Sequence, residues 1–342
     1  MTAENRQLVL VNRPLGAVQD SDFELKMTPV PAPGPGQFLV RVLWIGFDPA
    51  QRGWLNDVAS YVPPVRIGAV MRAMGVGQVV ESRSPDFAVG TLVQGVLGWQ
   101  DYVVTDGHGP LMIRRVPAGV SPRAMLGVYG ITGLTAYFGL LDVGRPAEDE
   151  LVVVSGAAGA TGSVAGQIAR IMGCRTIGIA GGPEKCAWVR DVAHFDQVID
   201  YKNEDVAARI AELAGDGIDV YFDNVGGSIL EACLEHLAMR GRVVLCGGIS
   251  SGYTAEGPPS GPHNYLRLVT RSARMEGFLV LDYLSRFAEG VTELRRWVES
   301  GAIVVAEDIQ VGLENAPATL RRLFEGQNLG KQLLKVADPP VA

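Results

Sequence analysis

Cysteine is scarce, with 4 in 342 residues, at Cys174, Cys186, Cys233 and Cys246. They form no CxxC pair and no close-spaced framework, which argues against a structural zinc or a disulfide-stapled secreted fold and fits a reducing cytosol. Histidine is as sparse: His108, His194, His236 and His263 stand singly beside no second ligand, so each reads as a surface or core residue. Basic charge is in deficit, 30 Lys and Arg against 37 Asp and Glu for a net charge of -7. That balance disfavours nucleic acid or an anionic membrane as the main partner. The polar start, MTAENRQLVLVNRP, lacks the apolar core and small-residue cleavage site of a signal peptide. The uncharged run from Leu151 to Ala169 is diluted by four glycines and by Ser155, Thr161, Ser163 and Gln167, and reads as strand, turn and buried helix rather than a membrane span.

What the chain has in excess is glycine, 43 residues against an average of ~7%. Its length suits about two domains. Before residue 125 the apolar runs are short and punctuated by Gly and Pro: QLVLV, FLVRVLWIGF, VGQVVES, GTLVQGVL and WQDYVVT, a mostly β pattern. From about residue 130 strand-length runs alternate with stretches of helical period, the rhythm of βαβ units and a parallel sheet. Strands are predicted at LVVVS from Leu151, RTIGIA from Arg175, QVID from Gln197, GIDVYFDNV from Gly217, RVVLCG from Arg242 and MEGFLV from Met275. Helices are predicted at GSVAGQIARIM, PEKCAWVRDVA, EDVAARIAELA and SILEACLEHLA. The tail returns to short strands, AIVVAEDIQV and KQLLKV, around a helix in NAPATLRRLFEGQ, and is expected to rejoin the first domain.

The sharpest feature is the buried strand Val153–Ser155 running through Gly156, Gly159 and Gly162 into an amphipathic helix. Such glycines permit a tight turn and close approach of a pyrophosphate, with helix amides and the positive dipole end behind them. The spacing is GxxGxxG, and the alternative is tight strand-to-helix packing without a ligand. An NAD-preferring site places a carboxylate at the end of the second strand. Here that end reads Ile179-Ala180-Gly181-Gly182, with Lys185 following, so NADP is inferred, the lysine meeting a 2′-phosphate. The alternative for Lys185 is a solvated lysine paired with Glu184.

The segments AAGATGSVAGQIAR, GIAGGPEKCAWV, IDVYFDNVGG, LCGGIS, MEGFLV and EGQNLGKQLLKV, in this order, with DPAQRGW and SYVPPV before them, resemble the zinc-independent medium-chain dehydrogenase/reductases of the prostaglandin reductase and 2-alkenal double-bond reductase group. The resemblance implies a β-rich, GroES-like substrate domain from residues 1–128 and 309–342, a Rossmann doubly wound domain at 129–308, and a cytoplasmic homodimer. It puts the pyrophosphate turn on Gly159, Ala160, Thr161 and Gly162, and the 2′-phosphate on Lys185 and Tyr201. It adds Asn224, the loop Cys246, Gly247, Gly248, Ile249 and Ser250, the carboxamide-binding Phe278, Leu279 and Val280, and Asn328 near the nicotinamide. Read without the resemblance, Phe278 and Val280 are sheet core, Tyr201 a strand-end aromatic and Asn328 a helix C-terminal residue. The zinc-dependent relatives need an early cysteine and a Gly-His-Glu segment; the matching stretch here is IGAVMRAMGVGQV, and the metal expectation is none.

The implied reaction is NADPH-dependent reduction of the carbon-carbon double bond of α,β-unsaturated ketones or aldehydes, an apolar small-molecule substrate. The carbonyl oxygen needs a hydrogen-bond donor as charge develops. Relatives place tyrosines at positions matching Tyr61 and Tyr253; the second match carries an added Gly252, which bears on the reach of its hydroxyl. Phe47, Trp54, Trp99 and Tyr102 are candidates for an apolar pocket, with core packing the alternative. Arg52 is read as meeting a carboxylate or phosphate, or as an interdomain ion pair. Quinone reduction and a non-enzymatic NADPH-binding role are the competing functions.

Overall fold

In the computed structural model, residues 4–58, 60–109, 113–250, 253 and 261–340 are described. They divide into two compact units, one taking the chain up to Gly127 and again from Glu307, the other Val128 to Tyr253 and 261 to 306.

In the first unit β1 (Glu4–Leu10) and β2 (Phe23–Pro29) form an antiparallel pair. They are followed by β3 (Phe38–Gly46), the short helix α1 (Ala50–Gly53), β4 (Met74–Ser82), β5 (Leu92–Val96), β6 (Tyr102–Thr105) and β7 (Arg114–Arg115). The alternating runs read from the sequence place Phe38, Val40 and Val42 on one inward face of β3. Trp99 is fully buried, its ring 5.0 Å from Phe23 and 5.6 Å from Phe47. Phe47 and Trp99 are therefore core aromatics, not pocket walls. Arg52 is also a structural residue: 1% exposed, it donates to the Gly16 carbonyl at 2.9 Å, to Pro14 at 2.8 Å and to Asn56 at 2.6 Å, holding the 14–16 turn.

The second unit opens with α2 (Ile131–Phe138), which widens into a π-helical turn at Gly139–Gly144. It then alternates β8 (Leu151–Ser155), α3 (Ala160–Ile171), β9 (Arg175–Ala180), α4 (Pro183–Asp191), β10 (Gln197–Asp200), α5 (Val206–Leu213), β11 (Ile218–Asp223), α6 (Gly227–Glu235) and β12 (Leu237–Leu245). A short α7 (Arg267–Thr270), β13 (Arg274–Gly277) and α8 (Phe287–Glu299) complete it. The six strands are parallel in the order β10-β9-β8-β11-β12-β13, the doubly wound order whose crevice lies between the first and fourth strands. Every residue of β8 is buried, as befits a central strand covered on both faces. Pro183 opens α4, and the Asp205 carboxylate caps α5 by accepting the Ala208 N–H at 3.1 Å.

The last strands rejoin the first unit: β14 (Glu307–Val311), then α9 (Ala316–Phe324), then β15 (Lys331–Lys335), in the sheet order β14-β15-β3-β4-β5-β7. Lys331, 4% exposed, donates to the Phe47 carbonyl at 3.1 Å and to Asp48 at 2.6 Å, fastening this return.

The largest differences from the sequence reading fall at three places. Helix α6 stops at Glu235, and Leu237 and Ala238 belong to β12, where Leu237 pairs with Ile218 ahead of a register shift. Strand β13 ends at Gly277, so Phe278, Leu279 and Val280 lie beyond it, Val280 starting a tight 3-10 segment to Arg286. Strand β14 takes only the second half of AIVVAEDIQV.

Candidate dinucleotide site

The C-terminal ends of β8 and β11 meet at the point where the strand order reverses, and a polar network ties them together. Asp223, the last residue of β11 and 1% exposed, accepts four hydrogen bonds on Oδ1: from Ser155 Oγ at 3.0 Å, Tyr221 Oη at 2.7 Å, and the Val225 and Gly226 N–H groups at 3.0 and 2.9 Å. Ser155 Oγ in turn accepts the Asn224 N–H at 2.9 Å, and Asn224 Nδ2 donates to the Ser155 carbonyl at 2.7 Å. Burial and the nearby Asp223 push the Cys233 thiol well above its ordinary range, and push Cys246 up to about 12.

Above this network the chain turns from β8 into α3. Gly159 donates to the Gly156 carbonyl at 2.8 Å and stands at the N-cap, where no side chain caps the helix. Ala160, Thr161 and Gly162 form the first turn, so their amide end is turned toward whatever occupies the crevice. A Cβ on Gly162 would be driven into the Gly156 carbonyl oxygen, so the turn is as tight as its sequence allows. A helix N-terminus without a side-chain cap, reached through a turn this tight, fits a pyrophosphate.

The second strand ends at Ala180 with no acidic residue, as read from the sequence. Tyr201 lies 44% exposed, its N–H donating to the Ala180 carbonyl at 3.0 Å and its ring against Gly181. Lys185 is half-buried in the first turn of α4. Burial raises the pKa of Asp200, but hydrogen bonds from Gly182 N–H, Asn203 and Lys202 N–H outweigh it and hold the carboxyl below its ordinary range. Its oxygens are thus engaged in shaping the turn that Tyr201 and Lys185 flank.

The segment after β12 is laid against the end of β11. Cys246 and Gly247 donate to the Asp223 carbonyl at 2.9 and 3.0 Å, Ile249 to Asn224 at 3.3 Å and Ser250 to Val225 at 3.1 Å. Gly248 lies within the same turn. The half-buried Tyr253 carries its hydroxyl 3.5 Å from where a Cβ on Gly247 would stand. Gly252 lies outside the described residues.

The structure thus gathers Gly159 to Gly162, Asn224 and the 246–250 segment around the switch point, and sets Lys185 and Tyr201 about the end of β9. The Phe278 ring packs on Gly139 of the π-helical turn, Leu279 is 41% exposed and Val280 half-buried. Asn328 and Tyr61 belong to the first unit. Asn328 is 9% exposed and donates to the Gly330 carbonyl at 2.9 Å, whereas Tyr61 is 47% exposed and its hydroxyl accepts the Trp54 indole N–H at 3.3 Å. Sequence reasoning passed over Ser155 and Asp223. The signal present was polar residues closing two apolar strands, VVVS and VYFD. Among the described residues no group of three or more His, Cys, Asp or Glu is arranged to hold a metal ion, and His263 Nδ1 pairs with Glu231 at 2.7 Å.

A doubly wound sheet with this turn at its switch point defines a dinucleotide-binding protein joined to a β-rich unit. Residues 6–113 match the family described as N-terminal domain of oxidoreductase, and residues 160–296 the one described as zinc-binding dehydrogenase. The NADPH-dependent curcumin reductase of Escherichia coli (strain K12) is 41% identical, over 97% of this chain and 97% of its own. The NADP(+)-dependent 2-alkenal reductase of Nicotiana tabacum is 36% identical, over 97% and 98%. The crystal structure of CurA in complex with NADPH from Vibrio vulnificus superposes with a TM-score of 0.91 at 41% identity, covering 98% of this chain and 100% of that one. The chain belongs to the zinc-independent medium-chain dehydrogenase/reductases, in the group of alkenal, curcumin and prostaglandin reductases. No helix among the described residues is long and apolar enough to cross a membrane.

Proposed function

We propose that the protein is an NADPH-dependent reductase of the carbon-carbon double bond of α,β-unsaturated ketones and aldehydes. The observation that carries this reading is the α3 N-terminus over its glycine cradle at the switch point, with no carboxylate at the end of β9 and Lys185 and Tyr201 beside it. Membership of the alkenal, curcumin and prostaglandin reductase group supports the reaction class.

In this reading residues 129–308 hold the cofactor, and residues 1–128 and 309–342 the apolar substrate. Gly159 to Gly162 bind the pyrophosphate through amides. Lys185 and the Tyr201 hydroxyl take the 2′-phosphate. Asn224 and the segment Cys246 to Ser250 border the ribose, while Phe278, Leu279, Val280 and Asn328 belong to the nicotinamide end. NADPH, when bound, supplies the hydride that reduces the alkene. The chain orients the alkene and places a donor at the carbonyl oxygen as it gathers charge. Tyr253 is assigned that donor, its hydroxyl beside Gly247; Tyr61 is the second candidate. Polarisation of the carbonyl is assigned to these hydroxyls. The protein is further read as a cytoplasmic homodimer.

The test is steady-state NADPH oxidation with an enone, a quinone and no acceptor. Turnover with the enone is expected; turnover with quinones alone would replace the proposal by quinone reduction, and tight NADPH binding without turnover by a binding role.

A further inference from the structure

We propose that Asp223 is a positioning residue that sets three cofactor-facing segments in register from beneath, a role that rests on the dinucleotide reading above. Its side chain and its own carbonyl act in opposite directions along the sheet end. Through Oδ1 it holds Ser155, at the root of the glycine turn, and the Val225 and Gly226 amides of the next loop. Through its backbone oxygen it holds Cys246 and Gly247, the start of the third segment. One residue thus touches all three.

Asp223 Oδ2 is buried and has no hydrogen-bond partner. Leaving a buried carboxylate oxygen unpaired is costly. An apolar residue would avoid that cost but leave four donors orphaned. The asymmetric carboxylate is explained by the job of its other oxygen, which gathers donors from β8, β11 and the loop that follows. Such a network has few ways to relax when its hub is removed.

The experiment measures binding of NADPH by fluorescence titration and of adenosine 2′-monophosphate by calorimetry. The second ligand lacks the pyrophosphate and the nicotinamide half and depends on the Lys185 and Tyr201 end alone. Asp223→Ala is expected to weaken NADPH at least tenfold and Ser155→Ala at least threefold, each leaving the monophosphate within twofold. Asp223→Asn keeps an acceptor for the donors and is expected within threefold of wild type. Unchanged NADPH affinity in Asp223→Ala, equal loss of both ligands, or Asp223→Asn as weak as Asp223→Ala overturns the proposal. If Asp223→Ala does not fold, the ratio of the two ligands in Ser155→Ala decides by the same rule. A wild-type protein that binds neither ligand would instead overturn the dinucleotide reading itself.

Discussion

The Tyr201 ring occupies the space in which a side chain on Gly181 would stand: its carbons are 2.6 Å and its hydroxyl 2.8 Å from that position. The glycine is what lets the tyrosine lie across the end of β9. Gly181→Ala is therefore expected to displace the ring and weaken NADPH more than NADH. Lys185→Ala should cost NADPH ~1.5–3 kcal/mol through loss of a charged hydrogen bond, with little effect on NADH. Calorimetric titration with both cofactors checks this, and equal weakening of the two would remove the 2′-phosphate assignment.

Gly162→Ala is expected to reduce NADPH affinity by tenfold or more and to lower the melting temperature. The added methyl meets a backbone carbonyl, that of Gly156, which cannot rotate away as a side chain would. Retained affinity in the alanine variant would show that the turn opens without cost.

Tyr253→Phe should lower kcat by roughly 10²-fold, the scale of one lost donor to a developing oxyanion, with NADPH affinity within twofold. Tyr61→Phe is the paired test, since its hydroxyl accepts the Trp54 N–H and keeps its own O–H to donate. The donor is the tyrosine whose loss moves kcat; if neither does, both assignments fall.

Arg242 clamps the start of β8 to the end of the π-helical turn, donating to Glu150 at 2.9 Å and to the Gly144 carbonyl at 3.0 Å. Burial raises the Glu150 pKa, but Arg242 and the Ala147 N–H outweigh it and hold the carboxyl below its ordinary value. The pair's stabilisation is thus complete above the unfolded carboxylate range, ~4.3, and is lost as pH falls through the lower folded value. Arg242→Met is expected to cost about 1–3 kcal/mol at pH 7 by urea unfolding. Its deficit should shrink below about pH 4; a gap constant with pH would mean the arginine acts through packing alone.

The parallel sheet was legible because five of its six strands begin within one residue of the runs read from the sequence, at Leu151, Arg175, Gln197, Ile218 and Arg274, and Pro183 suits the first turn of a crossover helix. Helix α2 was not, since ITGLTAYF carries a glycine and β-branched residues and is held by burial rather than propensity. The overrun at α6 has a similar cause: Leu234 and Leu237 keep a helical spacing, but Leu237 is already paired with Ile218. In the site, glycines and Lys185 carry signals readable in one dimension. Ser155 and Asp223 stand 68 residues apart, and only the topology brings their side chains together. Arg52 misled because a charged residue in a functional-looking segment says nothing of the carbonyls waiting for it at residues 14–16.

The four thiols acquire a second meaning from the chemistry proposed for the protein. Conjugated carbonyl compounds alkylate thiolates, so a reductase that collects them is exposed to its own substrates. Cys174, Cys186 and Cys233 are buried, and burial pushes the first two up to about 11. Cys246, half-exposed as a residue, turns its sulfur inward. At neutral pH such groups are held as thiols. The first 170 residues hold no cysteine at all. In the proposed reaction the electrophile would thus meet thiols rather than thiolates, a chemical tolerance built in by where sulfur has been left out.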